Sequence, residues 1–142
     1  MANQHKFAGS HTTIATGLSA DRVAEISKAV GDSTKGDILI GMNNVRFEGA
    51  SPGRTNFSIR ALGNRLELMT FHVAIQDRAS GSSATTRIDT YKTSQQKYFG
   101  LIPVGPKRMA AYQTYRRFME NLVAAVQAEE PAAQATLTER VG

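Results

Sequence analysis

Tyr98-Phe99-Gly100-Leu101-Ile102-Pro103-Val104-Gly105-Pro106-Lys107-Arg108 is the stretch on which the reading of this chain turns. Its glycines and prolines interrupt regular structure, and it delivers the chain into a segment where Tyr112, Tyr115, Met119, Leu122 and Val126 recur at steps of three and four. Those steps put all five on one face of a helix, and Phe118 and Val123 widen the stripe. With Pro106 as the first helical residue and Ala128 near the end, the helix is expected to be on the order of 30 Å long, enough to cross a sheet. The apolar residues of the loop are expected either to plug the core between the last strand and the helix or to lie over the open end of the sheet.

Upstream, His11-Thr12-Thr13-Ile14-Ala15-Thr16 is rich in β-branched residues and reads as a strand. A short helix follows. Ser19 is its N-cap, Asp21 lies in the first turn, and Leu18 can staple against Val23. Val23, Ile26 and Val30 form the buried stripe, and Gly31 is expected to end the helix in a left-handed conformation.

From Asp37 to Lys92 the apolar period changes to two. Ile38 to Phe47 is a strand expected to bend at Gly41, and Ala50-Ser51-Pro52-Gly53 is a turn. Phe57, Ile59 and Ala61 share one face of the next strand, and Gly63-Asn64 suits a type II′ hairpin turn. Leu66 to Ile75 is the most apolar strand and therefore central, and Thr85 to Lys92 is a polar strand after a turn within 78–83. The predicted fold class is α+β: strand, short helix, four-stranded antiparallel meander and a long C-terminal helix packed on a curved sheet. Residues 1–128 are expected to form a single domain. The polar segment 129–142, opened by Glu129-Glu130-Pro131, is expected to be a flexible tail.

This order resembles the helix-grip architecture of START-like ligand-binding proteins. The element Phe99-Gly100-Leu101-Ile102-Pro103-Val104-Gly105-Pro106-Lys107 ahead of a Tyr-containing last helix is also similar to one in a group of small uncharacterised actinobacterial domains. That second resemblance spans roughly 7–126 in outline and implies a shared fold without an activity. START-like chains usually have two short helices and more strands, whereas this sequence offers a single short helix and fewer strands, a departure that bears on the room for a large internal cavity.

The chain has 142 residues, 41% of them hydrophobic and 20% charged, which is the composition of an ordinary globular domain. One domain of this length buries roughly 70% of the surface its unfolded chain exposes. The chain has no cysteine, which excludes disulfides, thiolate metal sites and cysteine nucleophiles. No apolar run reaches membrane-spanning length and no signal-peptide core follows Met1 to Lys6, so the expected location is cytoplasmic. The net charge is +5, and Lys92, Lys97, Lys107, Arg108, Arg116 and Arg117 fall in a stretch without an acid. Such a patch suits nucleic acid or another anionic surface, or is simply solvated surface.

No catalytic spacing stands out. His5, His11 and His72 are too scattered to imply a metal, and His72 is expected to be a buried, hydrogen-bonded side chain. Glu67 is expected to pair across strands with Arg60 or Arg87. No nucleophile elbow or phosphate loop is present, so no enzyme activity, metal or cofactor is expected. Three functions follow. A small apolar or amphipathic ligand would bind between sheet and last helix, lined by Tyr98, Phe99, Leu101, Tyr112, Tyr115 and Met119. A protein partner or a second copy would dock on an edge strand or on the last helix. Nucleic acid would bind the basic 92–117 region, with Tyr98 or Phe99 stacking.

Overall fold

The computed structural model describes residues 7–34, 43–61, 66–98 and 102–139, with 94–98 and 102–108 described through their backbone alone. Strand β1 (His11–Thr16) leads to helix α1 (Ala20–Ser33), then to β2 (Asn43–Ser51), β3 (Arg54–Ala61), β4 (Glu67–Arg78) and β5 (Gly81–Tyr91). A hairpin of β6 (Thr93–Tyr98) and β7 (Ile102–Met109) precedes helix α2 (Tyr112–Glu129) and the last strand, β8 (Gln134–Thr138). Among the described residues the main sheet is antiparallel and six-stranded, in the order β2-β3-β4-β5-β1-β8, and β6 and β7 form a separate two-stranded pair. The α+β class and the packing of the last helix on an antiparallel sheet are as expected. The bend at Gly41 and the turn at Gly63-Asn64 lie outside the described residues.

Alternation along the strands sends one set of side chains under the helices. Ile14, Phe57, Ile59, Met69, Phe71 and Val73 are all buried there, facing Val23, Ile26 and Val30 of α1 and Tyr115, Phe118, Met119, Leu122 and Val126 of α2. Phe57, Phe71 and Phe118 form the centre, with ring centroids 4.8 to 5.2 Å apart. The other face of the sheet carries polar groups.

Ser19 caps α1 as its position predicts, its hydroxyl accepting from the Arg22 N–H at 3.1 Å. Gly31 does not end the helix. It is a helical, buried residue, and α1 continues to Ser33, capped by Thr34. A Cβ at Gly31 would lie 2.6 Å from the Phe57 ring, so glycine is required there for close approach of helix to sheet rather than for a left-handed turn.

Two expectations about the C-terminal third are corrected. The helix begins at Tyr112, not Pro106, because 102–109 is strand β7. Ser94 faces Arg108 and Gln96 faces Val104, so Gly105-Pro106-Lys107 bulges from the ladder and Pro106 costs it no N–H. The segment read as a flexible tail contains β8, which pairs with β1 from His11↔Thr138 to Ala15↔Gln134. Polar side chains pin it. The Thr12 hydroxyl donates to the Thr136 carbonyl at 2.6 Å, Ser10 donates to the Glu139 carbonyl, and Gln127 donates to the Ala133 carbonyl at 3.3 Å. Just before it, the Glu130 carboxylate accepts from the Gly17 N–H at 2.8 Å and from the Thr16 hydroxyl at 2.9 Å.

Candidate functional site

The residues expected to line a ligand space are distributed differently from that expectation. Tyr115 and Met119 have no exposed surface and Tyr112 is 6% exposed, so all three are core side chains. The Tyr115 hydroxyl donates to the Ser10 carbonyl at 2.7 Å and lies 2.9 Å from the Thr86 hydroxyl. Burial pushes the Tyr115 phenol far above its ordinary value, the bond to Thr86 offsetting it only in part. Tyr112 stacks on Phe7 with centroids 4.5 Å apart, and burial raises its phenol as well. Tyr98 is placed through its backbone alone, opposite Ile102, and Phe99 and Leu101 lie outside the described residues.

The basic stretch also separates in space. Lys97, Lys107 and Arg108 belong to the β6–β7 hairpin, described there through backbone alone, and Lys92 is an exposed residue at its base. Arg116 sits on α2 with Nε 2.7 Å from the Glu139 carboxylate and 3.8 Å from Glu120. The closer approach is an ion pair whose N–H is not aligned as a hydrogen bond. Arg117 is half-buried on the same helix. A run without acids in sequence thus acquires carboxylate neighbours from Glu139, just beyond β8, and from the next turn of α2.

On the open face of the sheet, His72 is 12% exposed and its Nδ1 lies 2.9 Å from both oxygens of Asp89, which Arg54 approaches at 3.5 Å. Arg60 bridges Glu48 and Glu67, each at 3.3 Å. Burial raises the Glu48 carboxyl, but hydrogen bonds from Ser58 and Arg60 outweigh it and hold the group below the usual carboxylate range. These are the cross-strand pairs expected of a solvated face. Among the described residues no cluster of His, Asp and Glu has the makings of a metal site, and no helix is long and apolar enough to cross a membrane.

The feature sequence reasoning missed is the edge formed by β8 and α2. Among the described residues β8 is paired on one side only within the main sheet. Beside it, Val123 and Glu120 of α2 and Ala135, Thr136 and Leu137 of β8 line a groove of about 220 Å³. Leu137 is 37% exposed, one of two large apolar side chains so exposed among the described residues, the other being Leu66. No residue of β8 is charged and none is proline, so two of the devices that keep an edge from pairing are missing from this five-residue strand. The alternation of Ala133, Ala135 and Leu137 was the available signal, obscured by the alanine-rich composition around it. Comparison with protein-family models, with curated proteins and with solved structures finds no match to this chain.

Proposed function

We propose that this chain is a non-enzymatic protein-interaction domain that docks a polypeptide beside the sheet and the last helix, along the edge where β8 and α2 meet. The observation that carries the reading is the uncharged, singly paired β8 with Leu137 standing open over the groove at Val123 and Ala135. An incoming strand satisfies backbone groups there while an apolar side chain fills the groove, the usual economy of strand addition. The alternative of a small apolar ligand held between helix and sheet is less favoured, because Tyr115 and Met119 are consumed by the core. The helix-grip likeness is supported by the strand–helix–sheet–helix order and extends, in this reading, to architecture alone.

The test places a benzophenone photo-crosslinking residue at Leu137, and separately at Arg87 on the open face, in the full chain exposed to extract of its own cells. The expected result is a polypeptide adduct at 137 that is absent at 87 and lost in Ala135→Pro. Equal labelling at both positions, or a small molecule retained through native mass spectrometry, overturns it.

A second reading is favoured by the placement of Lys97, Lys107 and Arg108 on one separate hairpin with Lys92 at its base. In it, that hairpin binds nucleic acid or another anionic surface. It predicts an affinity for single-stranded DNA that falls steeply with salt and is lost on changing Lys107 and Arg108 to Ala.

A further inference from the structure

We infer that the polypeptide docked on this edge is a second copy of the chain, with the two β8 strands paired antiparallel about a two-fold axis through Thr136. The inference rests on the docking reading and names its partner. The Thr12 hydroxyl meets the Thr136 carbonyl, so the backbone groups of Thr136 turn inward to β1, and strand alternation turns those of Ala135 and Leu137 to the free side.

An axis through Thr136 then sets Ala135 opposite Leu137 of the second copy, and Leu137 opposite the second copy's Ala135. Each of these pairs exchanges the backbone hydrogen bonds the edge leaves open. The sizes match too. The small Ala135 side chain leaves the groove beside Val123, and the half-open Leu137 of the other copy is the group that enters it. Gln134 faces Thr138 across the axis, and Thr136 faces itself, a favourable polar pairing with no like charges opposed.

The area is adequate for a reversible dimer. An 18-residue helix is about 27 Å long, and a strand layer plus a helix layer is about 20 Å deep. The face is therefore about 540 Å² per copy, roughly 1,100 Å² in total, which is at the lower limit of specific interfaces. Charge does not oppose it locally, although each copy carries +5. Arg116 on this face is matched by the carboxylates of Glu120 and Glu139.

The test uses the absence of native cysteine. Thr136→Cys places two thiols on the axis, where the Cα atoms of a non-hydrogen-bonded pair lie about 4.5 Å apart, within disulfide reach. Mild oxidation is expected to convert this variant to a covalent dimer at least ~10-fold faster than Arg87→Cys on the open face. Sedimentation velocity over about 1 to 200 µM is expected to show a concentration-dependent dimer of the unaltered chain, abolished in Thr136→Lys, which sets two ammonium groups face to face. A monomer throughout that range, with Thr136→Cys oxidising no faster than the control, overturns the second copy as partner. If a foreign polypeptide still crosslinks at position 137 in that case, the docking reading survives without it. If nothing crosslinks there, both fall.

Discussion

Changing Tyr115 to Phe removes one oxygen from a side chain with no exposed surface and leaves its packing volume in place. The hydroxyl it removes donates to the Ser10 carbonyl at 2.7 Å and lies 2.9 Å from the Thr86 hydroxyl, which itself accepts from the Thr12 N–H at 3.0 Å. Thr86 keeps a partner after the substitution, whereas the carbonyl of Ser10, a residue 1% exposed, loses its donor and cannot turn to water. One orphaned buried acceptor plus one lost hydrogen bond amounts to about 2 to 3 kcal/mol. For a chain of this length that is a fall in Tm of roughly 6 to 10 °C. Urea unfolding followed by far-ultraviolet circular dichroism measures it, with an unchanged slope showing that the unfolded state is not altered. The wild-type phenol is raised by burial, so its bond contributes fully below the unfolded phenol pKa of about 10 and is lost as pH climbs beyond that. The loss in Tyr115→Phe is therefore expected to be constant from neutral pH to about pH 9. A change below about 0.5 kcal/mol would refute the claim that this hydroxyl ties β1, β5 and α2 together.

Other substitutions probe separate parts of the fold. Gly31→Ala forces a methyl to within 2.6 Å of the Phe57 ring and is expected to destabilise by about 1 to 3 kcal/mol in the same assay, despite alanine's better helix propensity. Ala111 holds φ at +67° immediately before α2, where glycine is unstrained, so Ala111→Gly is expected to stabilise by up to about 1 kcal/mol and raise the urea midpoint. Glu48 is depressed below its ordinary value of 4.5, so the folded state holds fewer protons than the unfolded one. Its contribution is complete above that pH and is lost as pH falls through the lower folded value, and Glu48→Gln should flatten the acid-side loss of stability below that ordinary value.

Much of the frame was legible in the sequence because it rests on local periodicity. Val23, Ile26 and Val30 at helical spacing, Phe57 and Ile59 at strand spacing, and Tyr112 to Val126 at steps of three and four each declare a buried face without knowledge of what covers it. Ser19 likewise announces α1, since a cap needs only its own first turn. The candidate site was less legible. Tyr115 and Met119 are on the stripe a ligand would touch, but the same stripe fills a core, and spacing cannot separate those outcomes. Pro106 reads as a helix start by its fixed φ and missing N–H, yet a bulge in β7 tolerates both properties equally well.

What the sequence determined by itself is therefore the set of faces: which residues of each element turn away from water, and where Ser19 starts α1. Tertiary structure alone decided what those faces meet. Gln134 to Thr138 has too little apolar content to order itself, and becomes strand β8 because it pairs with β1, the Thr12 hydroxyl holding the Thr136 carbonyl and Ser10 the Glu139 carbonyl just beyond the strand. Those bonds are long-range in sequence and carry no periodic signature, so the edge they create, and Leu137 upon it, arises only when the chain is folded.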